Sequence, residues 1–204
     1  MSERYIYSPS NGESEMLGSR FVAYAFPCQS FEEAKGLLEE VGEANKKAAH
    51  IPYGYLGPDK EAYSEDGEPA NSSGRPLLEL LRGEGICGLV AVARYFGGRK
   101  LGVGNLRRKV VEAAKEALSS CRYAVMRVRY SQSCSLPYSE FEQLSRLASR
   151  LRLGIESATY GEEVSFRLIS DGMIDPAIAF PPFRGRLGEK EQISILEEVD
   201  DAHQ

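Results

Sequence analysis

GICGLVAVARYFGGRKLGVGNLRRK, residues 85–109, runs from an apolar segment through four glycines into a second, periodic segment. Up to Phe96 it is nearly continuous in apolar and β-branched residues, the pattern of a strand covered on both faces. Gly97, Gly98, Gly102 and Gly104 break the run. From Gly104 to about Ser119, Leu106, Val110, Ala113 and Ala117 recur at helical spacing, so a helix with one apolar face is expected. The stretch also holds Arg94, Arg99, Lys100, Arg107, Arg108 and Lys109 without an acidic residue among them. A helix start is electropositive, so Arg107, Arg108 and Lys109 placed there are each unfavourable by a few tenths of a kcal/mol or more. A bound anion would reverse that sign, and the glycines would let it approach the backbone. The pattern is neither a P-loop nor a dinucleotide fingerprint, because GVGNLR lacks the third glycine and no GK[ST] follows. A tight strand-to-helix turn with solvated arginines is the other reading of the same residues.

Upstream, RFVAYAF (20–26) reads as a buried strand. Ser30 with Glu33 has capping-box spacing ahead of Phe31, Ala34, Leu37, Leu38 and Val41, a helix. AHIPYGYL (49–56) reads as a strand, and residues 57–74 as loop from their Gly, Pro, Asp and Ser content. Pro76 suits the first turn of a short helix, LLELLR, ending at Gly83. Downstream, CRYAVMRVRYSQSCS alternates like a half-exposed strand. Ser139 with Glu142 forms a second capping box before Phe141, Leu144, Leu147 and Leu151, a helix that Gly154 ends. IESATY and VSFRLIS, joined through Gly161, form a hairpin. DPAIAFPPFRG (175–185) is irregular, and QISILEEV is the last strand. The change of character after Ser120 places a domain boundary near residues 121–126.

The chain has 204 residues, of which 42% are hydrophobic and 27% charged, an ordinary globular composition. A net charge of −5 excludes a protein that coats nucleic acid over its whole surface, so any contact with a polyanion has to be local. Cys28, Cys87, Cys121 and Cys134 lie far apart, which fits buried thiols in a reducing compartment rather than a disulfide framework or a zinc knuckle. No stretch is apolar enough for a signal peptide or a membrane span, so a cytoplasmic protein is expected, with no cofactor and no metal. In SEDGEPANSSGRP (64–76), Asp66 and Gly67 suit a tight turn, and Asn71, Ser72 and Ser73 are cap formers. Glu65, Asp66 and Glu68 supply oxygen ligands for a hard cation, though not at calcium-loop spacing. Arg75 stands at the start of the following helix. His50, with Tyr53 and Tyr55, is a base, a ligand, a stacking residue or a structural histidine. His203 is too near the end to pair with it.

Together AAHIPYGY, SEDGEPANSSGRPLLELL and VARYFGGRKLGVGNLRR resemble the signature of the YigZ/IMPACT family, three blocks in the family's order over about residues 18–120. The resemblance implies an α+β plan, with an extension over 1–17, a first domain over 18–122 like the second domain of a small-subunit ribosomal protein, and a smaller domain over 123–204. It also implies a second, ferredoxin-like domain similar to domain V of elongation factor G. The family's shared surface then falls on His50, Tyr53, Asp66, Gly67, Glu68, Pro69, Gly74, Arg75, Pro76, Arg94, Tyr95, Phe96, Gly97, Gly98, Lys100, Leu101, Gly102, Gly104 and Arg107. Asn71-Ser72-Ser73, Asn105 and Arg108-Lys109 depart from the family's usual residues, the last pair making this member more basic. Eukaryotic relatives regulate translation through an initiation-factor kinase and carry an extra N-terminal domain for which this chain has no room, so that control is not expected here.

The expected function is a non-enzymatic, translation-linked protein that binds RNA or a ribosome-associated partner. Its anion-facing surface comprises Arg75, Arg94, Arg99, Lys100, Gly102, Gly104, Arg107, Arg108 and Lys109, with no membrane contact. The alternative is an enzyme for a small phosphorylated or anionic substrate, with His50 or Asp66 as acid/base and the arginines as clamps. The sequence leaves the oligomeric state open.

Overall fold

The computed structural model describes residues 3–173, 175–184 and 186–199. The chain is mixed α+β and divides into two compact units, one formed by the chain up to Val125 together with Leu196 onward, the other by Met126–Ile195. In the first unit the elements are β1 (Arg4–Ile6), β2 (Ser10–Met16), β3 (Ser19–Phe26), α1 (Phe31–Ala44), β4 (Tyr53–Leu56), β5 (Glu61–Ser64), α2 (Gly74–Glu84), β6 (Ile86–Tyr95) and α3 (Val103–Ser119).

β6 is the centre of this unit. Along one edge it pairs antiparallel with β3, from Arg20 opposite Tyr95 to Phe26 opposite Leu89. Along the other it takes β1 in parallel at Ile86 and Cys87, then β4 antiparallel from Gly88 to Ala91, then His50 opposite Arg94. Both faces are covered, which is why its sequence is continuously apolar. Val90 and Val92 join Leu77 and Leu81 of α2 and Leu106 and Val110 of α3 in one core, while Leu89 joins Tyr55, Cys28 and Ala34 of α1 in another. The start of α1 follows its sequence signal: Ser30 Oγ accepts from the Glu33 amide at 3.2 Å, and the Glu33 carboxylate accepts from the Gln29 amide at 2.8 Å.

In the second unit the elements are β7 (Tyr123–Leu136, beginning in the first unit), α4 (Tyr138–Leu151), β8 (Leu153–Tyr160), β9 (Val164–Ser170), the short helix α5 (Pro176–Ala179) and β10 (Glu191–Val199). The order is strand, helix, strand, strand, helix, strand. β7 pairs with β9, β9 with β8, and β10 with β7. The core is built from Leu136, Leu144, Val164, Phe166, Leu168, Phe180 and Phe183.

Several expectations need correction. The described part of the assumed extension over 1–17, from residue 3 on, belongs to the sheet: β1 pairs with β6 and with the start of β7, and β2 pairs with β3 along its whole length. The assumed loop 57–74 contains β5, antiparallel to β4. α2 continues past Gly83 to Glu84 and stops at Gly85, which takes the left-handed conformation at φ 63°. α4 starts after Pro137, so Ser139 lies inside the helix and caps nothing, and Arg152 at φ 55° ends it while Gly154 belongs to β8. Gly185 and His203 lie outside the described residues.

Candidate functional site

A cleft of about 540 Å³ opens in the first unit. One wall is the end of β6 and the start of α3, with Arg94, Phe96, Lys100, Leu101, Val103 and Leu106. The facing wall is His50 with Gly67, Glu68 and Pro69. Three separate stretches of sequence therefore meet at one concavity, whose walls are mainly apolar. The sheet brings them together: the Arg94 amide donates to the His50 carbonyl at 2.9 Å, and the Ala49 amide to the Arg94 carbonyl at 2.8 Å. Asp66 (φ 47°) and Gly67 (φ 82°) form a tight turn closed by the Glu68 amide donating to the Glu65 carbonyl at 3.0 Å.

The turn leans on the imidazole, since a Cβ at Gly67 would lie 3.1 Å from the His50 ring. His50 Nδ1 is 2.5 Å from the Asp66 carbonyl oxygen. A carbonyl can only accept, so Nδ1 carries a hydrogen, and in the neutral imidazole the lone pair lies on Nε2. The Asp66 carboxylate accepts from the Ile51 amide at 2.5 Å, a structural bond that spends one of its oxygens.

Arg94 and Glu68 form a buried pair, their side chains 10% and 2% exposed. Nη1 donates to both carboxylate oxygens, at 2.6 and 2.7 Å. The guanidinium carbon stands 5.8 Å from the centroid of the Phe21 ring and 5.6 Å from that of Phe96, so the group is held between two aromatic faces. Nε is buried without an acceptor among the described residues.

Two helix starts in this unit are treated differently. At α2 the Glu65 carboxylate accepts from four amides, those of Asn71 (3.0 Å), Ser73 (2.8 Å), Gly74 (2.9 Å) and Arg75 (3.2 Å). The expected caps do not act: Ser73 makes no side-chain cap, and Ser72 Oγ donates to the Pro69 carbonyl at 2.6 Å. At α3 the N-cap is Gly102, at φ 74°, with no side-chain cap. The amides of its first turn have no intrahelical acceptor either.

The cations are also placed differently from expectation. Because α3 begins at Val103, Arg107, Arg108 and Lys109 stand in its second turn, where the field of the helix start has already faded. Arg107 Nη2 pairs with Glu79 at 3.0 Å, and Arg75 pairs with the same carboxylate at 3.1 Å. Lys109 pairs with Glu112 at 2.7 Å. Arg108 reaches Met16 Sδ at 3.7 Å. Among the described residues no carboxylate partners Arg99, Lys100 or Arg108, and Lys100 lines the cleft.

Other signature residues serve the fold instead. Tyr95 Oη donates to Asn45 Oδ1 at 2.6 Å, the atom that Tyr24 reaches at 2.9 Å. Tyr53 packs against Phe31, and burial pushes its phenol up. Gly97 lies against the backbone of Gly18, leaving no room for a side chain, and Gly98 turns the chain at φ 82°. Gly104 has neither constraint. Sequence reasoning missed Val103, 52% exposed at the first helical position, and the capping role of Glu65. Neither carries a local signal, since Glu65 lies nine residues before the glycine whose amide it accepts. The carboxylates considered for a cation are each committed elsewhere: Glu65 to α2, Asp66 to Ile51 and Glu68 to Arg94.

Residues 17–118 match the family described as the Impact N-terminal domain. A protein from Thermus thermophilus described as an IMPACT family member in pol 5′ region is 36% identical over 152 residues, 74% of this chain and 83% of its own. The Escherichia coli (strain K12) IMPACT family member YigZ is 32% identical over 117 residues, 54% of this chain and 57% of its own. A crystal structure of a hypothetical protein aligns over 98% of this chain and 99% of its own, with a TM-score of 0.57 and 24% identity, a likeness of fold. With its three signature blocks gathered at one cleft and these relatives beside it, the chain belongs to the IMPACT family.

Proposed function

We propose that the chain is a non-enzymatic, translation-linked binding protein whose first unit receives RNA, or a ribosome-associated partner, at the face around the start of α3. The observation that carries this reading is the uncapped α3 start beside Lys100, with Arg99 and Arg108 likewise free of carboxylate partners among the described residues. In a chain of net charge −5 such a patch gives a local attraction for phosphates against a repulsive background, which favours a defined contact over general coating. Membership of the IMPACT family supports the link to translation.

The test is a titration of structured RNA, followed by fluorescence anisotropy, at two salt concentrations. Three phosphate contacts, one for each free cation, release enough counterions to weaken binding by roughly 20- to 40-fold between about 50 and 200 mM salt. No association, or association indifferent to salt, overturns the reading.

A second reading rests on one observation, the hold of the Asp66 carbonyl on His50 Nδ1 at the rim of the cleft, which in the neutral imidazole leaves the lone pair on Nε2. It makes His50 a general base toward a small anionic substrate, without Asp66, whose carboxylate is engaged with the backbone. Turnover of phosphomonoesters that disappears in His50→Ala supports it, and turnover indifferent to that change removes it.

A further inference from the structure

We infer that the cleft is built for one phosphate-bearing planar ligand, a nucleoside monophosphate or the 5′-phosphorylated end of an RNA strand, with its phosphate on the start of α3 and its ring system on Phe96. The RNA-end form rests on the function proposed above, whereas the free-nucleotide form does not. The size is right for a single small molecule, about 540 Å³. The lining combines two chemistries. The start of α3, which has no side-chain cap, and Lys100 together suit an oxyanion. Leu101, Leu106 and the side chain of Val103 add apolar wall.

Two further features point to an occupant. Arg94, 8% exposed, lines the cleft, and its Nε, itself buried, has no acceptor among the described residues. Phe96 lines the same cleft and is 51% exposed, with the Arg94 guanidinium 5.6 Å from its centroid. A ring held in position and left half open is a stacking platform for a base. Glu68, the carboxylate in the wall, does not repel an anion: it is 2% exposed and spends both oxygens on Arg94. The start of α2 shows the oxygen geometry that such a terminus accepts, with amides 2.8–3.2 Å from the Glu65 carboxylate.

The test uses the full chain and five probes: adenosine 5′-monophosphate, adenosine, inorganic phosphate, and one short RNA with either a 5′-phosphate or a 5′-hydroxyl. Binding is read by calorimetry and by amide NMR shifts at Val103–Asn105. The expectation is that the monophosphate, or the 5′-phosphorylated RNA, binds at least tenfold more tightly than its phosphate-free counterpart. The monophosphate should also exceed inorganic phosphate tenfold. Val103→Glu places a carboxylate in the first turn of α3, where the helix tolerates or welcomes it. It should therefore leave the thermal midpoint unchanged or higher while weakening the phosphate-bearing ligand at least tenfold, and Phe96→Ala should weaken the monophosphate severalfold. Monophosphate binding abolished by Val103→Glu, with no RNA binding at all, supports the inference and removes the RNA reading. Salt-dependent RNA binding that ignores the 5′-phosphate and Val103→Glu, with no nucleotide bound, overturns the inference and leaves the RNA reading standing. Inorganic phosphate binding as tightly as the monophosphate also overturns it.

Discussion

Arg94 sits where a surface cation was expected and is instead buried, neutralised by Glu68 and flanked by Phe21 and Phe96. Removing one partner of such a pair strands the other in a low-dielectric site and costs about 3–5 kcal/mol. Replacing both by apolar residues removes that cost. Arg94→Met should therefore lower the urea unfolding free energy by about that amount, and Arg94→Met/Glu68→Leu should recover most of it. Failure of the double variant to recover would contradict the assignment of the loss to the stranded carboxylate. The charge of Arg94 was legible in the sequence but its neutralisation was not, because Glu68 is 26 residues away and meets it only once the turn at Asp66–Gly67 has folded against His50. The same holds for Arg107, whose partner Glu79 lies on a different helix.

At the scale of elements, periodicity located every long helix and the strands with apolar faces, since those patterns come directly from burial. β2 escaped because its sequence, SNGESEM, buries Gly12 and Ser14 rather than large side chains. Its inner face lies on α3, so tightly that a Cβ at Gly12 would overlap the α3 backbone at Ala113 and Ala117. Ser14 Oγ donates to the Lys109 carbonyl at 2.7 Å from the same face. A strand packed through small polar residues leaves no hydrophobic alternation to read. The start of α2 was misread for a related reason: Asn71, Ser72 and Ser73 are good local caps, but Glu65 reaches the same amides with a full charge. Glu65→Ala should cost about 1–2 kcal/mol in chemical denaturation, and Glu65→Gln less, because the amide oxygen still accepts. An unchanged midpoint in Glu65→Ala would show that the four bonds add nothing to stability.

Over the whole molecule, all four thiols are buried, and burial pushes Cys28 up to about 12 and Cys87 and Cys134 up to about 11. Tyr55 is raised as well, by burial and by its hydrogen bond to Asp59. In the unfolded chain these thiols ionise near pH 9, so above that pH the unfolded state gives up protons that the folded state retains. Stability from this source is complete below about pH 9 and is lost between about pH 9 and 12. Urea midpoints taken through that interval should fall steadily, and a flat profile would contradict the burial of the thiols. The sequence anticipated unpaired, enclosed cysteines from their spacing alone, while the depth of each depends on packing that spacing does not encode.

The way the chain passes between its units has a consequence of its own. It leaves the first unit after Val125 and comes back at Leu196, where Glu198 pairs with Arg122 at 2.8 Å and Val199 packs on the first core. The second unit is thus spliced into its host, anchored by both of its ends. A single protease nick within 126–195 would leave each fragment still carrying part of the first unit, so the halves stay clasped under native conditions, and only paired cuts at the two crossings would liberate the insert.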